Sequence, residues 1–576
     1  MTEARGPETP SQRRHDALRR RKEAAHFYAG LGSPAQRSNG DEDDPKLKKL
    51  LYAANYSKGL PHDPKTGLVD PKAYETLLHA LSTGEPEDFE KIRLNQPPSE
   101  HCASSATPSD LVRTLSNEVK AQGDQMKLVD PQSGLAFDTG GLDGHQLTLK
   151  PAYKFTSAEE IGEIAENYWM ALCRDVPFSE YDSQTPPPNL GKAADDLSKF
   201  SIRDFPKKGG KVTPATVFRG FTEGDLVGPY LSQFLVMDIP YGSQVVPPTV
   251  AIGLPDQQDY MTDQDSWLNV QNGTMPSQPK IALLPANDRK RIWNARGLCQ
   301  YVHIDELFQA YLNACLLLIT PRGTGDAPRG GLEAALSEGN PYVKGRCSTQ
   351  MGFGTLGEPN FKVLVAEVAT RALKTVWYQK WFIHRRLRPE VFAGRIHFDK
   401  TGQLAFPFHQ EEYKKLDDVL KLIKDKGKTY LLPMAFPEGS PLHPSYGAGH
   451  ATVAGACVTV LKALFKDDQK WSDLPGAPVP QVPLPDGHST RDYKGDWKEM
   501  TVGGELDKLA GNIGLARNFA GVHWRSDYAE SLKLGEKIAL YFLQETIRTY
   551  NEDVFFSLHR FDGRQVRIDQ DTLQTF

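Results

Sequence analysis

Apolar residues recur at helical spacing in several separated stretches of this chain, and only rarely do they alternate as in a half-buried strand. One stretch opens at Ser157-Ala158-Glu159-Glu160, a capping box in which Ser157 and Glu160 can satisfy opposite orphan amides. Behind it Ile161, Ile164, Tyr168 and Leu172 share one face. The same rule predicts helices over 303–320, 359–386, 449–465, 505–520 and 527–549, and a shorter one over 73–82. In 359–386 the buried face is read as Val363, Leu364, Val368, Ala372, Val376 and Trp377. In 527–549 it is Ile538, Phe542 and Ile547, with Asp527 and Glu530 placed to cap. Strand-like alternation is confined to 213–218 and 245–252. The pattern predicts a mainly α protein, a helical bundle with long loops and few short strands.

Length and composition refine this. At 576 residues, one large helical domain with extensions is expected. The reading is an N-terminal extension over 1–100 that packs on the core, followed by a helical domain over 101–576. Pro/Gly-rich insertions interrupt that domain at about 178–290 and 467–500, the second marked by Pro475, Pro478, Pro480, Pro483 and Pro485. Charge nearly balances, 68 basic against 73 acidic residues, which gives no case for a nucleic-acid partner. The basic run Arg13-Arg14 and Arg19-Arg20-Arg21-Lys22 reads as a solvated helix face. Six scattered cysteines form no C-x-x-C pair and are expected as buried free thiols. MTEARGPETPSQRRHD contains no apolar leader, and the run 312–319 is too short to span a bilayer, so no membrane association and a cytoplasmic location are expected. Gly352-Phe353-Gly354-Thr355-Leu356-Gly357 fits G-x-G-x-x-G but follows no apolar strand, so it reads as a loop.

Chemistry concentrates in three clusters. In the first, Lys380 lies beyond the core stripe of its helix and Arg388 precedes Pro389, a position pushed out of the α region, so the helix should stop there. In the second, His443-Pro444-Ser445-Tyr446-Gly447-Ala448-Gly449-His450 opens a helix whose first amides point outward unpaired and, with the dipole, favour an anion. His450 at that mouth can give or take a proton. In the third, Arg517 and His523 are six apart and would face different sides of a continuous helix, but Gly521 predicts a turn that lets both reach one cavity. Asp527 is either the acceptor for the other nitrogen of His523 or a helix cap, and the cap is the preferred reading. Three cations, a helix start and two histidines suit a tetrahedral oxyanion.

In this order the clusters resemble the vanadium-dependent haloperoxidases, whose pattern is Lys…Arg-Pro, Ser-Gly-His and Arg…His, and within them the algal and cyanobacterial bromoperoxidase-like branch. Asn39-Gly40-Asp41-Glu42, Lys58-Gly59-Leu60-Pro61-His62 and Gly228-Pro229-Tyr230-Leu231-Ser232-Gln233-Phe234 look like further segments of that branch, so the resemblance covers most of the chain. It implies the helical-bundle fold shared with acid phosphatases, and vanadate as cofactor with phosphate as an isosteric occupant. It also implies that His523 bonds the metal, that Lys380, Arg388 and Arg517 neutralise its oxygens, and that Gly449 supplies a backbone donor. His450 falls on the acid–base histidine. His443 falls where bromoperoxidases carry histidine, which points to bromide and iodide. The implied reaction oxidises halide with hydrogen peroxide to hypohalous acid or an equivalent that halogenates a small organic substrate, and the implied assembly is a homo-oligomer.

One departure stands inside the cofactor-binding set: Ala448 occupies the position of the family serine, so a hydroxyl donor is missing. Ser445, three residues earlier, is a candidate stand-in. The substitution keeps open an acid-phosphatase-like phosphomonoester hydrolase, with His523 as nucleophile and His450 as proton donor, or a non-halogenating relative.

Overall fold

The computed structural model describes residues 7–95, 126–181, 185–200, 202, 205–253, 257–274, 282–323, 330–343 and 346–576. The predicted boundary near residue 100, with Cys102, lies outside them. The helices that carry the architecture are α1 (Pro10–Gly30), α2 (Pro71–Thr83), α3 (Ala158–Cys173), α4 (Gln309–Ile319), α5 (Glu358–Tyr378), α6 (Pro389–Lys400), α7 (Gly449–Leu464), α8 (Val502–Phe519) and α9 (Arg525–Ile547). Among the described residues the strands form only two-stranded antiparallel ladders, the longest pairing β1 (Phe555–His559) with β2 (Gln565–Asp569) in the register Leu558↔Val566. No described helix is long and apolar enough to cross a membrane.

Helix α7 lies at the centre: every residue from Ala451 to Leu464 is buried. It packs most extensively on α9 and next on α5 and α8. The α7–α9 crossing is set by glycines. A Cβ at Gly535 would lie 2.0 Å from the Thr452 carbonyl, and one at Gly455 would lie 2.1 Å from the Leu532 carbonyl. Any side chain there forces the two backbones apart.

N-terminal segments tie onto this body. Tyr28 of α1 bonds the Tyr541 carbonyl on α9. Glu42 clamps Arg385 with both carboxylate oxygens, at 3.0 and 2.5 Å. Buried Lys58 donates to Glu390 at 2.8 Å and to the Glu438 and Ser440 carbonyls. Two of the segments that carry the resemblance are therefore cross-links to helix starts and turns around the chemistry.

Several expectations need correcting. The stretch 213–218 is a turn: the Thr216 hydroxyl takes the Thr213 amide at 2.9 Å and Phe218 sits at φ +60°, outside any strand. The alternation at 245–252 breaks into fragments, Gln244–Val246, Thr249–Val250 and Ile252–Gly253, because Pro247 and Pro248 cannot donate to a ladder. Helix α4 starts at Gln309, leaving 303–308 as a loop. Val363 is exposed, because the buried stripe of α5 runs through Leu364, Val368, Ala372 and Val376. Glu530 does not cap α9; it pairs with Lys533 at 2.8 Å. The capping box is half formed: Ser157 accepts the Glu160 amide, but the Glu160 carboxylate goes to Arg386. The thiols of Cys173, Cys299, Cys315 and Cys457 are buried and free, and Cys347 is partly exposed.

Candidate oxyanion site

Lys380 enters the site from a widened turn. Beyond α5 the chain continues as a π-helical turn, Gln379–His384, closed by the Arg385 amide on the Lys380 carbonyl five residues back. Such turns rotate a side chain off the regular helical face. Lys380 is fully buried; its ammonium lies 2.8 Å from Nδ1 of His443 and 4.5 Å from the Trp377 ring centroid. Arg388 is extended (φ −87°, ψ 157°) as Pro389 requires, and starts α6. It donates to the Val522 carbonyl at 2.7 Å, the His443 carbonyl at 2.9 Å and His443 Nδ1 at 3.0 Å, and its Nη1 lies 3.1 Å from Nε2 of His523. Lys380 and Arg388 thus meet at Nδ1 of His443, which also lies 3.1 Å from the Pro444 carbonyl.

His523 follows the turn that Gly521 permits at φ +86°, after α8 has ended at Phe519. Its Nδ1 donates to Oδ2 of Asp527 at 2.9 Å, which leaves the Nε2 lone pair facing the cations. The same oxygen takes the Trp524 amide at 3.2 Å and the Ser445 hydroxyl. Asp527 is thus both the acceptor and the cap, where sequence offered a choice. Ser445 is spoken for and supplies no hydroxyl in place of the one missing at Ala448.

The second cluster opens α7 as expected, with Ala448 extended before it. The Ala448 amide is taken by Ser531 Oγ at 2.8 Å, so the outward amides of the helix begin at Gly449. A Cβ at Gly449 would lie 3.0 Å from the Trp377 ring. His450 bonds Asp305 through Nε2 at 3.1 Å and is the partly exposed member, its side chain 18% accessible. Arg517 reaches the Val302 carbonyl at 3.0 Å and lies over the Phe436 ring. Asp305 comes from the loop that sequence reads as helix, and Val302 from the end of the short helix Ala295–Tyr301 before it. Nothing in a lone aspartate 145 residues before His450 marks it as a partner.

The electrostatics single out the anion. No described carboxylate lies within ion-pair distance of Lys380 or Arg388, although both are fully buried. Burial, then repulsion from Arg388 and Arg517, holds the Lys380 ammonium well below its ordinary value. Burial brings Arg388 down to about 10, with Asp527 and Arg517 pulling in opposite directions. Burial, with Arg388, Lys380 and Arg517 close by, keeps His523 neutral far below pH 6.5. Buried cations without counter-charge are costly, and a multiply charged oxyanion among them removes that cost. The donor set therefore fits vanadate: a neutral imidazole lone pair, flexible and planar cations, and helix-start amides.

A family model described as the VCPO second helical-bundle domain matches residues 364–552, the part of the chain that holds all three clusters. The vanadium-dependent bromoperoxidase of Corallina pilulifera is 35% identical, covering 95% of this chain and 96% of its own. The chain belongs to the vanadium-dependent haloperoxidases. A second member, the vanadium-dependent bromoperoxidase of Ascophyllum nodosum, is 31% identical over 99% of this chain and 95% of its own. Among solved haloperoxidases, the homohexameric second vanadate-dependent bromoperoxidase of Ascophyllum nodosum superposes with TM-score 0.83 at 25% identity, covering 99% of this chain and 92% of that one. The mainly α haloperoxidase fold expected from sequence is the fold observed. The phosphatase alternative draws nothing from these relatives.

Proposed function

We propose that this chain holds vanadate in the site around His523 and oxidises bromide or iodide with hydrogen peroxide, delivering hypohalous acid or an equivalent to a small organic acceptor. Bound vanadate supplies a Lewis-acid centre that activates peroxide without changing its own oxidation state. His523 offers the Nε2 lone pair as the single protein bond to the metal, with Asp527 holding the proton on Nδ1. Lys380, Arg388 and Arg517 offset the oxyanion charge from three directions, and Gly449 donates its backbone N–H. Lys380, turned inward by the π-helical turn, would hydrogen-bond an oxygen of the bound group and draw electron density from it. His450 donates its Nε2 proton to Asp305 and takes the peroxide proton at Nδ1. His443, neutral and wedged between Lys380 and Trp377, lines the halide side. We carry the homo-oligomeric assembly over from the homohexameric neighbour.

The observation that carries this reading is the pair of buried cations without a described carboxylate in ion-pair reach, Arg388 against Nε2 of His523 and Lys380 meeting Arg388 at His443 Nδ1. Purified protein loaded with vanadate is assayed for peroxide-dependent bromide oxidation with a phenol dye, alongside elemental analysis for vanadium. Bromination with about one vanadium per chain is expected. Loaded protein without turnover, or phosphomonoester hydrolysis inhibited by vanadate, overturns the proposal.

A further inference from the structure

Arg386 sits two residues before Arg388, just past a helix end where a basic residue ordinarily suits the dipole. Its surroundings say otherwise. It is buried, and Nη1 donates to Oδ1 of Asp527 at 2.8 Å and to the Ser526 hydroxyl at 2.9 Å. Nη2 donates to Glu160 at 2.5 Å and Glu163 at 2.8 Å, both on α3. The guanidinium lies 4.7 Å from the Trp524 ring centroid. Glu163 in turn accepts the Ser526 amide at 2.6 Å and hydroxyl at 2.9 Å, which fixes the first turn of α9 from the far side.

The two oxygens of Asp527 therefore have separate tasks. Oδ1 belongs to Arg386, and Oδ2 belongs to His523 Nδ1, Ser445 and the Trp524 amide. A carboxylate gripped at one oxygen cannot rotate to offer the other elsewhere. We infer that Arg386, backed by Glu163 and Glu160, is a positioning residue: by clamping Oδ1 of Asp527 it holds His523 in the Nδ1–H tautomer, with Nε2 facing the oxyanion. The inference rests on the proposed reading that His523 faces an oxyanion, and on geometry rather than on any titration.

Two variants of the full chain test it. Arg386→Met combined with Glu160→Gln and Glu163→Gln removes the clamp and two of the three charges it would otherwise strand, leaving Asp527; Arg386→Lys keeps the charge but replaces the planar fork with a point donor. Histidine-selective 15N NMR, assigned by difference against His523→Gln, reads the tautomer, and calorimetry reads inorganic phosphate binding. The triple variant should melt cooperatively, lose the Nδ1–H preference of His523 and bind phosphate roughly 10–100-fold more weakly, as other outer-shell ligand partners do. Arg386→Lys should fall between it and the native protein on both readouts. A folded variant with the native tautomer overturns the inference whatever its phosphate affinity, because Arg386 then acts only through the fold. If the triple variant does not fold, an unaltered tautomer in Arg386→Lys overturns it equally. Halide turnover is not read, so failure of the haloperoxidase proposal is distinguishable.

Discussion

Arg386 and Arg388 are two residues apart, both buried, and electrostatic opposites. Burial works against the Arg386 charge, but Glu160, Asp527 and Glu163 outweigh it and hold the guanidinium well above its ordinary value. Arg388 meets only carbonyls and imidazoles at hydrogen-bond distance and is brought down to about 10. The extended backbone between them sends one side chain to α3 and α9 and the other into the site. Arg386 has its counter-charges in place; Arg388 meets none in the folded chain and leaves one to be supplied.

The largest test of that contrast is Arg386→Ala, which strands three buried carboxylates and should cost ~3–5 kcal/mol of stability in thermal or denaturant unfolding. A loss no greater than that of an exposed arginine would erase the distinction. Next comes Lys380→Met. Its ammonium has no buried counter-charge, so the substitution should raise the melting temperature of ligand-free protein while weakening phosphate binding by ~1.5–3 kcal/mol, the worth of a charged hydrogen bond. Phosphate should correspondingly stabilise the native chain more than the variant, by linkage. Ala448→Ser tests whether the cations suffice without a hydroxyl: about tenfold tighter phosphate, ~1.4 kcal/mol, is expected from calorimetry.

The smallest effect at neutral pH concerns His384, which is buried with neither ring nitrogen hydrogen-bonded and is brought to about 3 by burial, then by Arg385 and Arg386. Its folded value lies below the unfolded 6.5, so the stability linked to it is present above pH 6.5 and lost as pH falls toward 3. His384→Phe should therefore raise the unfolding free energy slightly at pH 7, by roughly 1 kcal/mol. The gain should grow by up to ~1.4 kcal/mol for each pH unit below 6.5. A gain that stays flat with pH would place a proton on His384 in the folded chain.

What sequence made legible follows the same division. Lys380, Arg388, Gly449, His450, Arg517 and His523 could be nominated as candidates because each stands in a local signature: a helix end before proline, a glycine-rich helix start, a glycine turn. Asp305 and Glu163 carry no such signature, since their partners lie 145 and 223 residues away and only the packed fold brings them together. Glu160 misled because a capping glutamate and a buried ion-pair partner look alike until α3 meets Arg386. The loop 303–308 misled because its apolar spacing continues that of α4, although it carries the Asp305 side chain that meets His450.

The glycines at 455 and 535 have a consequence for how the two halves of the chemistry stay in step. The helix that begins at Gly449 and the one that follows His523 touch backbone to backbone about two turns inside their first residues, with no side chain between them to change rotamer. Their starting ends, which carry the Gly449 amide and the His523 imidazole, therefore keep a fixed separation like the jaws of a caliper locked at its pivot. Changes in the surface loops therefore leave the span between the Gly449 amide and His523 unaltered.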